Sequence, residues 1–87
     1  MAWSIEFPPR AAKAFRKLDK PVQKQISKFL REVAELDGPR VRGKGLVADK
    51  SGLWRWRVGD YRVIVSILDE AVVVNVIDVG HRRNIYL

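Results

Sequence analysis

Residues 53 to 68 read LWRWRVGDYRVIVSIL, a run in which apolar and polar side chains alternate on both sides of a Gly-Asp pair. Period-two alternation flanking a two-residue Gly-containing turn is the pattern of a β-hairpin. If Gly59-Asp60 is the turn, Val58 pairs with Tyr61, Arg57 with Arg62, Trp56 with Val63 and Arg55 with Ile64. Trp54, Trp56, Val58, Tyr61, Val63 and Val65 then share one face, and Arg55, Arg57 and Arg62 share the other. The first face is a core face. The second sets Arg57 directly opposite Arg62, a like-charge pair that ordinarily costs stability, so an anion is expected there.

Working outward, Asp69-Glu70 reads as a second two-residue turn into a strand from about Ala71 to Val79. Val72, Val74 and Val76 join the core face, and Asp78 falls on the parity opposite to the arginines. Upstream, Trp3, Ile5 and Phe7 alternate with Ser4 and Glu6, a short strand ended by Pro8-Pro9. Ala11, Phe15 and Leu18 then recur at helical spacing, with Lys13, Arg16 and Lys17 on the outer side, as far as about Asp19. Asp19-Lys20-Pro21 reads as an N-cap and first turn. Val22, Ile26, Phe29, Val33 and Leu36 form the buried stripe of a second helix, ended by Asp37-Gly38-Pro39. Lys20, Lys24, Lys28 and Arg31 lie on its exposed side. Residues 40–52 lack periodicity and read as a surface loop. The order β-α-α-β-β-β specifies an α+β fold, a small antiparallel sheet with two helices on one face, forming a single domain over residues 1–87.

The chain has 87 residues, with 17 Lys plus Arg against 10 Asp plus Glu and a net charge of +7. So strong a positive field in a small domain points to nucleic acid, an anionic surface or an acidic protein partner. Cysteine is absent and there is one histidine, which excludes a disulfide framework and a thiolate or histidine-cluster metal centre. The N-terminus alternates instead of carrying a signal-like apolar core, and no apolar run reaches membrane-spanning length. A cytoplasmic protein with no membrane partner and no cofactor is expected.

After the last strand, residues 80–87 read GHRRNIYL and bring Arg82, Arg83, His81 and Tyr86 to the arginine end of the sheet. Metal-free RNA cleavage needs a proton acceptor for the 2′-hydroxyl, a donor for the departing 5′-oxygen and fixed cations around the transition state. Arginine suits the last role because it stays protonated and offers a planar fork. His81 is the candidate base, and Tyr86 is a candidate for stacking or proton transfer. In a competing account catalysis is positional, with no indispensable base. Parity assigns Trp54 and Trp56 to the core instead of base stacking. The lysine faces of the helices, Lys13, Lys17, Lys24 and Lys28, are candidate contacts to RNA phosphates. Gly43-Lys44-Gly45 lacks the spacing of a nucleotide-binding loop.

The strings GLWRWRVGDYRVI, residues 52–64, and VGHRRNIY, residues 79–86, closely resemble the RelE branch of the RelE/ParE toxin superfamily. The Trp3-to-Phe7 strand and Phe15-Arg16-Lys17-Leu18 match the same family. The resemblance implies an endoribonuclease that cleaves mRNA in the ribosomal A site and is held in check by a RelB-like antitoxin. It matches Arg55 and Arg57 to the basic positions that contact the scissile phosphate, Arg62 to the arginine after the turn, Arg82 to the arginine after the last strand, and Tyr86 to the aromatic that stacks on a substrate base. Lys44 lies in the loop where relatives carry another basic contact.

The chain departs from the best-known members in having arginines where they have lysines on the second strand, and arginine is a poor base at neutral pH. It also ends one residue after Tyr86. ParE-type toxins share the scaffold and inhibit DNA gyrase without catalysis, so the fold does not by itself select the activity. A non-toxic nucleic-acid-binding regulator is a third possibility.

Overall fold

The computed structural model describes residues 3–35, 38, 44–45 (backbone only) and 53–84. The elements are β1 (Ser4–Glu6), α1 (Pro9–Arg16), α2 (Lys20–Ala34), β2 (Lys44–Gly45), β3 (Leu53–Val58), β4 (Tyr61–Leu68), a single 3-10 turn (Asp69–Ala71) and β5 (Val73–His81). The α+β class and the helix-helix-strand order are as the sequence specifies. The sheet runs β1-β5-β4-β3-β2.

Prolines open both helices within their first turn, where the missing N–H costs nothing. Asp19 stands at the N-cap of α2, but its side chain makes no capping bond. The junction is tied instead by Gln23, whose Nε2–H donates to the carbonyls of Leu18 at 2.7 Å and Arg16 at 3.3 Å, satisfying groups left open at the end of α1.

Ile26, Leu30 and Val33 of α2 and Ala11 of α1 bury against Trp56, Val58, Val63, Val65, Ile67, Val74, Val76 and Val79. Trp56 is wholly buried and meets Phe29 edge-on at 5.6 Å. Trp54 packs on the same cluster, so both tryptophans serve the core. Each fully buried aliphatic side chain contributes roughly 1.5–3 kcal/mol, which gives the sheet a firm mount on its helical side.

Four details differ from the sequence reading. The sheet is mixed, because β1 runs parallel to β5 through Ser4↔Val73, Ile5↔Val74 and Glu6↔Asn75. Part of the expected loop forms a strand, Lys44–Gly45 pairing antiparallel with Arg55 and Trp54. The Asp69-Glu70 connection is a longer turn closed by Val72 in the left-handed region, φ 55°, so β5 starts at Val73 and Val72 does not extend the core face as a strand residue. Finally, β4 and β5 slip register between Ile64 and Val65, where Val65 faces Val76 but Ile64 faces Asp78. That bulge at Ile77 re-aims the end of β5 and carries the strand on to His81.

Candidate functional site

The β3–β4 hairpin has the register that its alternation specifies: Val58↔Tyr61, Arg57↔Arg62, Trp56↔Val63 and Arg55↔Ile64. Gly59 takes a positive φ of 59° and Asp60 does not, the form of tight hairpin turn that requires glycine first. With one face committed to the helices, Arg55, Arg57 and Arg62 project together from the other. Ile64 lies among them and is fully buried, although it is outside the helix-side cluster. It gives the arginine face an apolar floor.

Arg62 is the centre of this face. It is half-buried, and its Nη1–H donates to the Tyr61 carbonyl at 3.3 Å. Its guanidinium is held below its ordinary pKa, first by desolvation, then by Arg57, Arg55 and Arg82, with Asp60 pulling the other way. Arg57 stands directly across the hairpin from Arg62. Arginine remains charged in the physiological range regardless, so the concentration of cations is a standing attraction for an anion.

Arg82 reaches the cluster through the turn that follows β5. Its backbone N–H donates to the Asp60 carbonyl at 2.8 Å, and its Nε lies 4.0 Å from Asp60 Oδ1. The hairpin turn and the end of β5 are thereby tied at one point. Both side chains are more than half exposed, so the ion pair adds little stability; its consequence is the direction in which Arg82 points. Asp78, by contrast, turns its Oδ1 onto the N–H of Val79 at 2.8 Å.

His81 does not join the arginines. It registers opposite Tyr61, on the helix side, and the two rings meet edge-on at 5.3 Å. Its Nδ1 accepts the N–H of Arg83 at 3.1 Å, and its place on the helix side separates it from the arginine cluster, where a base was expected. The sequence reading missed this because it placed His81 beyond the strand and did not register the slip at Ile77.

The helix lysines separate into two groups. Lys13 and Lys17 line a cleft of about 560 Å³ between α1 and the end of β5, together with Arg10, His81 and Asn84. Lys24 and Lys28 line a second groove of about 570 Å³ with Lys20 and Arg31. Lys44 registers opposite Arg55, and its side chain is outside the described residues, as is Tyr86. Arg83 is exposed in the 82–84 turn.

The model of the family described as the ParE toxin of the type II toxin-antitoxin system matches residues 5–86. The mRNA interferase toxin RelE of Escherichia coli K12 is 39% identical over 85 residues, spanning 95% of this chain and 86% of that protein. The chain belongs to the RelE branch of the RelE/ParE toxin superfamily. The isolated E. coli RelE toxin superposes with a TM-score of 0.77 at 35% identity, covering 92% of this chain and 84% of that one. The toxin-antitoxin complex RelBE2 of Mycobacterium tuberculosis gives a TM-score of 0.83 at 25% identity, covering 97% and 95%. Of the positions matched to RelE toxins, the fold brings Arg55, Arg57, Arg62 and Arg82 to one end of one sheet face.

Proposed function

We propose that this RelE-branch chain is the toxin of a type II toxin-antitoxin pair, an endoribonuclease that cuts mRNA on the ribosome, acts in the cytoplasm and is restrained by a small RelB-like antitoxin. The observation that carries the reading is the convergence of Arg55, Arg57, Arg62 and Arg82 around one end of the sheet, seen in the hairpin register, in the effect of Arg57, Arg55 and Arg82 on Arg62 and in the Arg82–Asp60 tether. Asp60 lies beside Arg82 and partly counters the repulsion that Arg57, Arg55 and Arg82 exert on Arg62; a phosphate diester bound there would offset it further.

In the reaction, the 2′-oxygen of a ribose bonds to the adjacent phosphorus, the bond from phosphorus to the 5′-oxygen breaks, and the 2′-hydroxyl proton is lost while the 5′-oxygen gains one. Charge builds on the non-bridging oxygens, where arginine forks bind bidentately. Arg62, raised on the Ile64 floor and oriented by the Tyr61 carbonyl, is the group assigned to that charge. Arg55 and Arg57 hold the phosphate from β3, and Arg82 closes from the turn, near the departing oxygen. His81 lies opposite Tyr61 on the helix side of the sheet, away from the arginines, which favours the positional account: the ribosome aligns the 2′-oxygen, and the arginines stabilise the transition state. Tyr86 is assigned to base stacking on its match to RelE toxins alone. Lys44, Arg83, Lys24 and Lys28 are assigned to RNA phosphates outside the reacting centre.

Brief induction in cells, followed by parallel assays of mRNA integrity and DNA supercoiling, tests the reading. Rapid mRNA cleavage with unaltered topology is expected. Inhibited gyrase with intact mRNA would replace the nuclease by the ParE-type activity.

A further inference from the structure

The cleft beneath α1 is built from residues that the arginine site does not use. Arg10 and Lys13 on α1 and Lys17 at its C-cap sit at one-turn and two-turn spacing, so their side chains lie along one side of the helix, and they line the cleft with Val79, Gly80 and His81 of β5. The floor is apolar, from Ala14, Leu18, Val79 and the Tyr61 ring. Donors line the walls. His81 belongs to them because its Nδ1 is occupied by the Arg83 N–H, which leaves Nε2–H as its remaining polar group. Asp78 also lines the cleft, but its Oδ1 is turned onto the Val79 N–H.

We infer that this cleft, formed by Arg10, Lys13, Lys17 and His81, is a second nucleotide subsite that holds the RNA backbone flanking the phosphate gripped by the arginine cluster. The inference rests on the RNA-cleaving reading above. Position favours RNA over an acidic protein segment. The cleft and the arginine cluster lie on opposite faces of the same end of the sheet, joined among the described residues by the turn at 82–84, so one strand passing over that turn meets both. Chemistry favours it too, since cations and an N–H donor suit phosphate, while the apolar floor with the edge-on Tyr61–His81 pair offers surface to a base. A further argument weighs against an extended protein segment adding to β5: the Asp78 carboxylate already takes the N–H of Val79, and the Asn84 N–H takes the carbonyl of His81, which withdraws ladder groups from the β5 edge.

The test measures binding of uncleavable 2′-O-methyl RNA, one oligomer just long enough for the arginine site and one extended by several nucleotides, to the full-length protein. Wild type should bind the extended RNA more tightly than the short one. Lys13→Gln with Lys17→Gln should remove most of that gain, and the dependence of log affinity on log salt should flatten by about 0.7 for each phosphate that is no longer neutralised. His81→Phe, which keeps a ring beside Tyr61 and removes the donor, should weaken the extended RNA in the same direction. Arg16→Gln, at an exposed position that lines neither groove, compared with Lys13→Gln alone, serves as the control for a reduced overall charge. Equal weakening by Arg16→Gln and Lys13→Gln, or an undiminished length effect in the double lysine variant, would overturn the cleft as a subsite. Abolished antitoxin binding with RNA binding retained would overturn it in favour of a protein surface. If wild type neither bound RNA of either length nor cut ribosome-bound mRNA, the RNA-cleaving reading would fail along with the subsite.

Discussion

Replacing Arg62 by glutamine should separate catalysis from stability by moving them in opposite directions. Arg62 stands directly across the hairpin from Arg57 and feels Arg55 and Arg82 as well, so the native sheet carries a like-charge pair that glutamine relieves. Cross-strand repulsion of this kind, in a domain of this size, corresponds to a rise in Tm of roughly 1–6 °C at low salt. The same guanidinium is assigned to the charge that develops on the phosphate, and loss of one such preorganised donor lowers kcat by about 10²–10³-fold. Single-turnover cleavage of ribosome-bound mRNA and thermal unfolding of the same preparation measure the two effects. The stability gain should shrink as salt screens the charges, and phosphate or sulfate should raise the Tm of wild type more than that of the variant. A destabilised variant with proportionately reduced activity would refute the reasoning, because it would make Arg62 a structural residue. An unchanged rate would remove it from the reacting centre.

Asp60→Asn keeps the backbone bond to Arg82 and loses the ion pair, so stability should change by no more than about 0.5 kcal/mol, while the cleavage rate falls severalfold because Arg82 is less well aimed. Gly59→Ala should cost about 1–2 kcal/mol in urea unfolding, since φ is +59° and an added Cβ would come within 3.2 Å of Gln25 Nε2. Val72→Asn should stabilise by up to about 1 kcal/mol, because a β-branched residue sits at φ 55° where asparagine is tolerated. If catalysis is positional, with no histidine base, the wild-type rate should show no inflection across about pH 6–7, where free imidazole changes charge.

The hairpin was legible because its information is local: a turn glycine and strict alternation fix register, and register fixes which residues share a face. Arg55, Arg57 and Arg62 could thus be placed together from the sequence. The helices were legible for the same reason, although Leu30 joins the α2 stripe without having been expected there; Leu36, expected to extend it, lies outside the described residues. What escaped was non-local. The parallel pairing of β1 with β5 depends on where the chain returns after two helices, and the Lys44–Gly45 strand is too short to show a period. The end of β5 was the costly omission. Val74, Val76 and then Val79 are buried, so the apolar phase slips by one between Ile77 and Asp78, and a phase slip inside an alternating run is the sequence trace of a bulge. Noticing it would have put His81 beside Tyr61 and separated it from the arginines.

The central claim is that a phosphate diester of mRNA is the anion for which the arginine face is built. A reconstituted translation reaction containing purified protein, with the cleavage products mapped and their ends characterised, tests it most directly. The account requires cuts within the codon held in the ribosomal A site, products with a 2′,3′-cyclic phosphate on one side and a 5′-hydroxyl on the other, loss of cutting in Arg62→Gln, and suppression by the antitoxin. Intact mRNA in translating reactions, or 5′-phosphate ends that could not arise from attack by the 2′-oxygen, would contradict it.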